Sequence, residues 1–155
     1  MIKHFVMIAG VMITSACAGP TSIVTKENAF MYNKKTDNYD NIRLKIKAYS
    51  DKHNVPFNLA YSIIYIESKH NPSAYGKGTY GLGQIKCGTA KGIGFTGNCK
   101  NLFDIDTNLE YTMKYLSQAM IIAKGNECYA ATLYNRGLGN KPKSSAYCRK
   151  VLAKY

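Results

Sequence analysis

Glu67 is the residue of this sequence best placed to act as an acid. It lies one helical turn beyond Ile63 and two beyond Leu59, so its carboxyl extends from an apolar helical stripe beside a glycine-rich segment. Burial without a cation raises the pKa of a carboxyl and keeps it protonated near neutral pH, as a general acid requires. The alternative is a structural carboxylate bonded to the backbone of the adjacent loop.

Short motifs follow Glu67 in a fixed order. They are Glu67-Ser68, Gly81-Leu82-Gly83-Gln84, Tyr134-Asn135-Arg136-Gly137 and, near the end, Tyr147. This ordered set resembles the soluble lytic transglycosylase (SLT) family, with its Glu-Ser, Gly-Leu-x-Gln and Tyr-Asn-x-Gly motifs and its late Tyr. The resemblance covers residues 55 to 151.

The resemblance implies a lysozyme-like α+β fold, mostly α, with a small glycine-rich loop or hairpin insertion. It implies an enzyme that cleaves the bond between N-acetylmuramic acid (MurNAc) and N-acetylglucosamine (GlcNAc) in peptidoglycan, with Glu67 as the only catalytic acid and base. The implied substrate-binding and cleft residues are Ser68, Gln84, Tyr134, Asn135 and Tyr147, the last lying against Glu67. We expect no cofactor and no metal, and glycan strands as the partner.

A single carboxyl is chemically informative. Ordinary glycosidases need two, ~5–5.5 Å apart for retention or ~6.5–9.5 Å for inversion, whereas Glu67 is the only acid between Asp51 and Asp104. A lone acid suits substrate-assisted chemistry that yields a 1,6-anhydro sugar without consuming water. In the alternative, a hydrolase, Asp104 or Asp106 is the second carboxyl; their position beside a helix start favours helix stabilisation instead.

Helices are predicted on both sides of the glycine-rich segment. Residues 41–53 are predicted as a helix, although part of the stretch alternates with strand period. Pro56 suits the first position of the helix that carries Glu67, and residues 71–85 are predicted as a loop or short hairpin.

In the second half of the chain, a capping box at residues 107–110, Thr-Asn-Leu-Glu, predicts the start of a long helix. Shorter helices are predicted at residues 126–134 and 144–155. His53 and His70 have no matching partners for a metal site or a serine triad, and both are predicted to lie at the surface.

The N-terminus predicts export. Lys3 and His4 precede an apolar run over residues 5–13, and Ala16-Cys17-Ala18 suits signal peptidase, so residues 1–18 are predicted as a signal peptide. A membrane span would need ~20 apolar residues. Lipidation of Cys17 is the alternative and the only predicted route to a membrane. Residues 19–40 are predicted as a linker or flexible arm and 41–155 as the folded domain, in the periplasm or cell envelope.

Four cysteines remain after residue 18: Cys87, Cys99, Cys128 and Cys148. An even number in an exported protein predicts two disulfides. Three connectivities exist, and the sequence-local one, 87 with 99 and 128 with 148, is favoured because each bridge closes a short loop.

The charge indicates an anionic partner. Residues 41–155 carry 17 basic and 6 acidic side chains, an excess of 11. No nucleic-acid-binding motif accompanies the charge, so we expect a monomer that binds wall polymer and no nucleic acid.

Two other functions are alternatives to a lytic transglycosylase. They are a hydrolytic goose-type lysozyme and a non-catalytic glycan-binding subunit of an envelope machine. The biological role, general wall remodelling or opening the wall for a secretion or conjugation apparatus, stays open.

Overall fold

A computed structural model of the protein describes residues 26–141 and 145–155. The predicted signal peptide, including Cys17, lies outside the described residues. Among the described residues the α-helices are α1 (Lys26–Lys52), α2 (Phe57–Ser68), α3 (Cys87–Gly92), α4 (Ile105–Ile122), α5 (Glu127–Arg136) and α6 (Ala146–Leu152), and a 3-10 helix spans Cys99–Phe103. No helix in this part of the chain is long and apolar enough to cross a membrane. The predicted mostly α fold is confirmed.

Helix α1 begins at Lys26, so residues 26–40, predicted as part of a linker, are helical. No glycine or proline interrupts residues 26–52, so nothing in the backbone stops the helix once it has started. The segment that alternates with strand period is also helical. Ile42 and Ile46, one turn apart, are buried, while Leu44 between them is 70% exposed.

The main core lies where α1, α2, α4, α5 and α6 meet. Its largest buried side chains include Ile46, Leu59, Ile63, Leu109, Met113, Leu116, Leu133 and Val151. The apolar stripe predicted on α2 is therefore confirmed, and it holds the helix whose last turn carries Glu67. Pro56 precedes the first helical residue of α2 instead of occupying it.

Helix α4 begins two residues before the predicted capping box. Asp104 is its N-cap, with a carboxylate oxygen that accepts hydrogen bonds from the backbone N–H and hydroxyl of Thr107. The capping-box prediction at Thr107 is wrong because Asp104 is an equally good cap and the 3-10 helix delivers the chain to it. The predicted role of Asp104 in stabilising the helix start is confirmed.

The glycine-rich segment forms a small antiparallel sheet, the predicted hairpin with one more strand. Its strands are β1 (Tyr75–Gly76), β2 (Thr79–Tyr80) and β3 (Ile85–Lys86), in that order. Tyr80 pairs with Tyr75 on one side and with Ile85 on the other. A second, smaller core of Ile85, Ala90, Phe95 and Leu102 fixes this sheet to α3 and the 3-10 helix.

Two disulfides join elements that surround the sheet and the C-terminal helices. Cys87 at the start of α3 is bonded to Cys99 at the start of the 3-10 helix, and Cys128 of α5 is bonded to Cys148 of α6. The predicted sequence-local connectivity is confirmed. The second bridge links the helix that carries Tyr134 to the helix that carries Tyr147.

Candidate active site

Glu67 lies in the last turn of α2, which ends at Ser68 because Lys69 adopts the left-handed conformation, with φ of 55°. The carboxyl is half-buried. Its Oε1 accepts a hydrogen bond of 2.5 Å from the hydroxyl of Tyr147 on α6. Burial raises the pKa of Glu67, and the hydrogen bond from Tyr147 lowers it by less, so the net shift is upward.

Tyr147 remains the donor in this pair. Burial raises the pKa of its hydroxyl, and the neighbouring Glu67 carboxylate raises that pKa further, so the phenol keeps its proton. Tyr147 therefore holds Oε1 in place and leaves the other carboxyl oxygen of Glu67 for a substrate.

A cavity of about 250 Å³ opens beside Glu67. The described residues that line it are Glu67, Thr79, Gln84, Ile85, Lys86, Thr89, Tyr115, Tyr134, Asn135, Arg136 and Gly137. Four of the six predicted site residues are among them: Glu67, Gln84, Tyr134 and Asn135. Tyr147 reaches the site through its bond to Glu67, whereas buried Ser68 is not among these lining residues and donates its hydroxyl to the Ile64 carbonyl at 3.1 Å.

Gln84 organises the wall of the cavity. Its amide nitrogen donates to the carbonyls of Ala74 and Gly81, both at 2.9 Å, and its amide oxygen accepts from the hydroxyl of Thr79 at 2.6 Å. Both ends of the side-chain amide thus have partners in the sheet and its turns. Gln84 was predicted as a substrate contact. Its hydrogen bonds show that it supports the loop that faces Glu67.

The two glycines of Gly81-Leu82-Gly83-Gln84 allow this loop to lie directly on α4. A Cβ at Gly83 would collide with Thr112, and one at Gly81 would collide with Asn108 and with the Leu102 carbonyl. The motifs do not indicate this role of Asn108, a residue only 1% exposed. Polar residues at 108 and 112, one helical turn apart on a helix with an apolar core face, were the available signal.

Asn108 ties three segments together. Its side-chain oxygen accepts from the Gly83 N–H at 2.9 Å, and its side-chain nitrogen donates to the carbonyls of Tyr80 and Leu102 at 2.8 and 2.7 Å. Since hydrogen bonds of a buried amide are costly to leave unmade, this residue fixes the sheet against α4.

Tyr134 joins α5 to the same loop. Its hydroxyl donates to the Gly83 carbonyl at 2.6 Å, and its ring meets the ring of Tyr115 edge-on at 5.6 Å. Burial raises the pKa of Tyr134, as does the charge of Glu67 to a smaller extent. Asn135, the next residue, is exposed at the cavity and so is free to face a ligand.

Glu67 is the only carboxyl among the described residues that line the cavity. Asp104 is the cap of α4, and hydrogen bonds from Thr107 lower its pKa. Asp106 accepts from the Lys45 ammonium at 2.6 Å. The two candidates for a second carboxyl therefore have structural partners elsewhere.

Basic side chains flank the acid. Lys86 of β3 and Arg136 of α5 line the cavity and are exposed. Thr89 and Tyr115 complete the wall. The motifs predict no role for any of these four residues. Arg136 and Thr89 lie within or near recognised motifs, but Tyr115 is identified only by the packing of α4. No cluster of three metal-ligating side chains occurs in the described ranges 26–141 and 145–155.

The helical domain, its small three-stranded sheet and the single acid between them define a lysozyme-like protein. A family model described as the transglycosylase SLT domain matches residues 45–154. The chain belongs to the transglycosylase SLT domain family, as its motifs predict.

Two solved structures share this fold. An inactive variant of lytic transglycosylase Slt from Pseudomonas aeruginosa, with glutamate replaced by glutamine, has a TM-score of 0.62 and 22% identity over 72% of this chain. A complex of a 70-kDa soluble lytic transglycosylase with bulgecin A has a TM-score of 0.58 and 27% identity over 71% of this chain. The match spans only 23% and 18% of the lengths of these two proteins.

Proposed function

We propose that this protein is a peptidoglycan lytic transglycosylase. The observation that carries the proposal is the single half-buried carboxyl of Glu67, held by Tyr147 at the wall of a cavity whose described lining offers no second acid. Membership of the transglycosylase SLT domain family, and the likeness to two proteins named as lytic transglycosylases, support it.

The reaction begins with protonation of the leaving oxygen. Glu67, whose pKa burial raises, gives its proton to the glycosidic oxygen between MurNAc and GlcNAc, and the bond from that oxygen to the anomeric carbon breaks. The carbonyl oxygen of the MurNAc 2-acetamido group bonds to the anomeric carbon and takes up the developing positive charge. Asn135, exposed beside Glu67, is positioned to hydrogen-bond the acetamido group.

The second step regenerates the acid. The Glu67 carboxylate removes the proton of the C6 hydroxyl of the same sugar, and that oxygen bonds to the anomeric carbon as the acetamido oxygen leaves. The products are a GlcNAc hydroxyl end and a 1,6-anhydroMurNAc end, and no water is consumed. Tyr147 stabilises the Glu67 carboxylate between the two steps through its hydrogen bond.

We place this activity outside the cytoplasm, in the periplasm or elsewhere in the cell envelope. The predicted signal at residues 1–18 and the two disulfides support this location, because disulfides persist in oxidising compartments. The role there is wall remodelling or local opening of the wall for a secretion or conjugation apparatus. Crosslinking in cells followed by affinity purification separates the two, since only the second role requires apparatus subunits as partners.

Digestion of purified peptidoglycan, with mass analysis of the soluble muropeptides, tests the reaction. We expect 1,6-anhydro ends from the wild type and at least ~10²-fold less product from Glu67→Gln. Reducing ends, one water heavier, would instead establish a goose-type hydrolase. Binding to the wall without any soluble product would establish a non-catalytic glycan-binding protein.

A further inference from the structure

A second cavity lies on the side of α2 that faces away from Glu67. Its volume is about 180 Å³, and it is lined by Tyr39, Tyr61, Ser62, Tyr65 and Lys154; we call it the tyrosine pocket. Tyr61, Ser62 and Tyr65 precede Glu67 by six, five and two residues. At 3.6 residues per turn they point roughly 120–220° away from it around the helix, so the tyrosine pocket is separate from the candidate active site.

The rings of the tyrosine pocket are held in place by His70, which the sequence predicted at the surface. His70 is only 5% exposed, with its ring centroid 4.4 Å from that of Tyr61 and 5.6 Å from that of Tyr65. The prediction is wrong because the left-handed turn at Lys69 and His70 directs the imidazole back onto α2. Burial lowers the pKa of His70, so the imidazole is neutral at neutral pH.

A chain of hydrogen bonds sets the orientation of these groups. The hydroxyl of Tyr39 is 2.8 Å from that of Tyr61 and 3.0 Å from Nδ1 of His70. Burial, followed by the bond to Tyr39, raises the pKa of Tyr61 to about 12. Two of the three tyrosine rings that line the cavity, one from each of two helices, are therefore fixed by hydrogen bonds before any ligand arrives, which lowers the entropy lost on binding.

Ser62 is the observation that points to a ligand. It is 1% exposed and lines the tyrosine pocket, yet its Oγ makes no hydrogen bond within the described residues, and neither does Nε2 of His70. Buried polar atoms without partners are uncommon and costly in folded proteins. A ligand hydroxyl or carbonyl at the Ser62 end would satisfy one of them.

Two ammonium groups lie over the ring of Tyr65. Lys69 Nζ is 4.0 Å and Lys154 Nζ 5.2 Å from the centroid of the Tyr65 ring. Aromatic walls with a few polar groups are typical of small-molecule sites. A cavity of ~150 Å³ already holds a benzene ring, and the lysines add a preference for a carboxylate.

We propose that the tyrosine pocket is a second saccharide site, which binds a six-membered sugar ring bearing a carboxylate, of the muramic acid type. The ring lies against Tyr61 and Tyr65, a sugar hydroxyl reaches Ser62, and the carboxylate lies at Lys154. The choice of a muramic sugar rests on the proposed function; the existence of the site rests on the geometry of the pocket. In a wall strand the muramic carboxyl is free only where no stem peptide is attached, so the pocket would hold peptide-free stretches of strand and keep the protein on its substrate between cleavages.

Titration of the isotope-labelled protein, followed by NMR of its backbone amides, tests the proposal. N-acetylmuramic acid is expected to shift the amides of residues 61–65 and 154 with saturation. GlcNAc, which lacks the carboxylate, is expected to bind the same residues about two- to five-fold more weakly, the range for a partly exposed ion pair. Benzoate represents an aromatic ligand with the same charge.

Lys154→Gln should weaken binding of N-acetylmuramic acid by about two- to five-fold and leave GlcNAc unchanged. The matched control is Lys100→Gln, the same charge change at an exposed lysine of the 3-10 helix. The proposal fails if N-acetylmuramic acid leaves residues 61–65 unshifted, if benzoate binds there more tightly, or if both variants weaken binding equally. Because the readout lies away from Glu67, the site can exist in a protein that cleaves nothing, and a cleaving enzyme can lack it.

Discussion

The hydroxyl of Tyr147 donates to Oε1 of Glu67 at 2.5 Å across a sequence separation of 80 residues. The two residues belong to different helices, α6 and α2, which pack directly against each other. The bond acts against the effect of burial on Glu67, because it favours the carboxylate whereas burial favours the protonated acid. The pKa of Glu67 is therefore set by the balance of the two.

Removal of the Glu67 proton should slow the reaction severely. Glu67→Gln keeps the size of the side chain and an oxygen for Tyr147 but has no transferable proton. We expect turnover of purified peptidoglycan to fall ~10²–10⁴-fold, toward the upper end because the described lining of the cavity offers no other carboxyl. Asp104→Asn and Asp106→Asn are the controls and should keep both rate and product; loss of activity in either folded variant would favour a two-carboxylate hydrolase.

Tyr147→Phe should alter the pH profile as well as the rate. Without the hydrogen bond that lowers it, the pKa of Glu67 rises further, so the loss of activity on the alkaline side moves to higher pH. The rate should fall roughly 10- to 150-fold, since hydrogen bonds to charged groups are worth roughly 1.5–3 kcal/mol. Tyr155→Phe, which removes a tyrosine–glutamate bond to Glu127, is the matched control. If the alkaline side of the pH–rate profile is the same in Tyr147→Phe as in the wild type, Tyr147 does not position or tune Glu67.

Glu67 should make stability depend on pH. The pKa of Glu67 is raised in the folded state. The contribution of Glu67 to the free energy of unfolding is therefore greatest below about pH 4.3, its unfolded pKa. That contribution is lost as the pH rises through the folded pKa. Glu67→Gln should therefore be more stable than the wild type by about 0.5–2 kcal/mol at pH 7, with a smaller difference at pH 4. Urea unfolding at the two pH values measures both; equal differences would mean that Glu67 is not destabilised by burial.

The two disulfides should differ in their effect on activity. Replacing either pair by alanine should cost about 2–4 kcal/mol of stability. Cys128→Ala with Cys148→Ala should also reduce turnover under conditions where the protein remains folded, because this bridge joins α5 with Tyr134 to α6 with Tyr147. Non-reducing peptide mapping of the wild type should find no free thiol among the four cysteines, and a different pairing would contradict the structure.

Attraction to the wall should be electrostatic. With 17 basic against 6 acidic residues over 41–155, binding to purified peptidoglycan by Glu67→Gln should weaken as salt rises from 0.1 to 1 M, where the Debye length falls from ~10 to ~3 Å. Sedimentation of the protein with wall fragments measures this. Binding unchanged by salt would assign the excess charge to solubility alone.

The catalytic acid and most of the predicted cavity residues could be predicted from the sequence because they lie in short motifs. Glu67, Gln84, Tyr134 and Asn135 were predicted from the resemblance of their motifs to the SLT family, and they lie around one cavity. Helix positions followed from apolar periodicity, and the disulfide pairing followed from loop length. These are properties that a few neighbouring residues determine.

The features that were missed depend on contacts between distant segments. Asn108 and Tyr115 belong to the site only because α4 packs against the loop formed by residues 81–84. His70 is buried by tyrosines of two helices, and nothing at neighbouring positions indicates this. Helix α1 starts earlier than predicted because composition alone does not distinguish a polar helix from a linker.

The candidate site has a consequence for folding, because its key bonds close long segments of chain. Tyr134 reaches Gly83 across 51 residues and Tyr147 reaches Glu67 across 80. Contacts between residues so far apart in sequence require the closure of long loops. The loss of chain entropy is offset only after much of the core has formed. A partly folded chain thus contains its acid without the group that orients it. Recovery of activity during refolding should therefore follow the slowest phase, later than the recovery of helical signal.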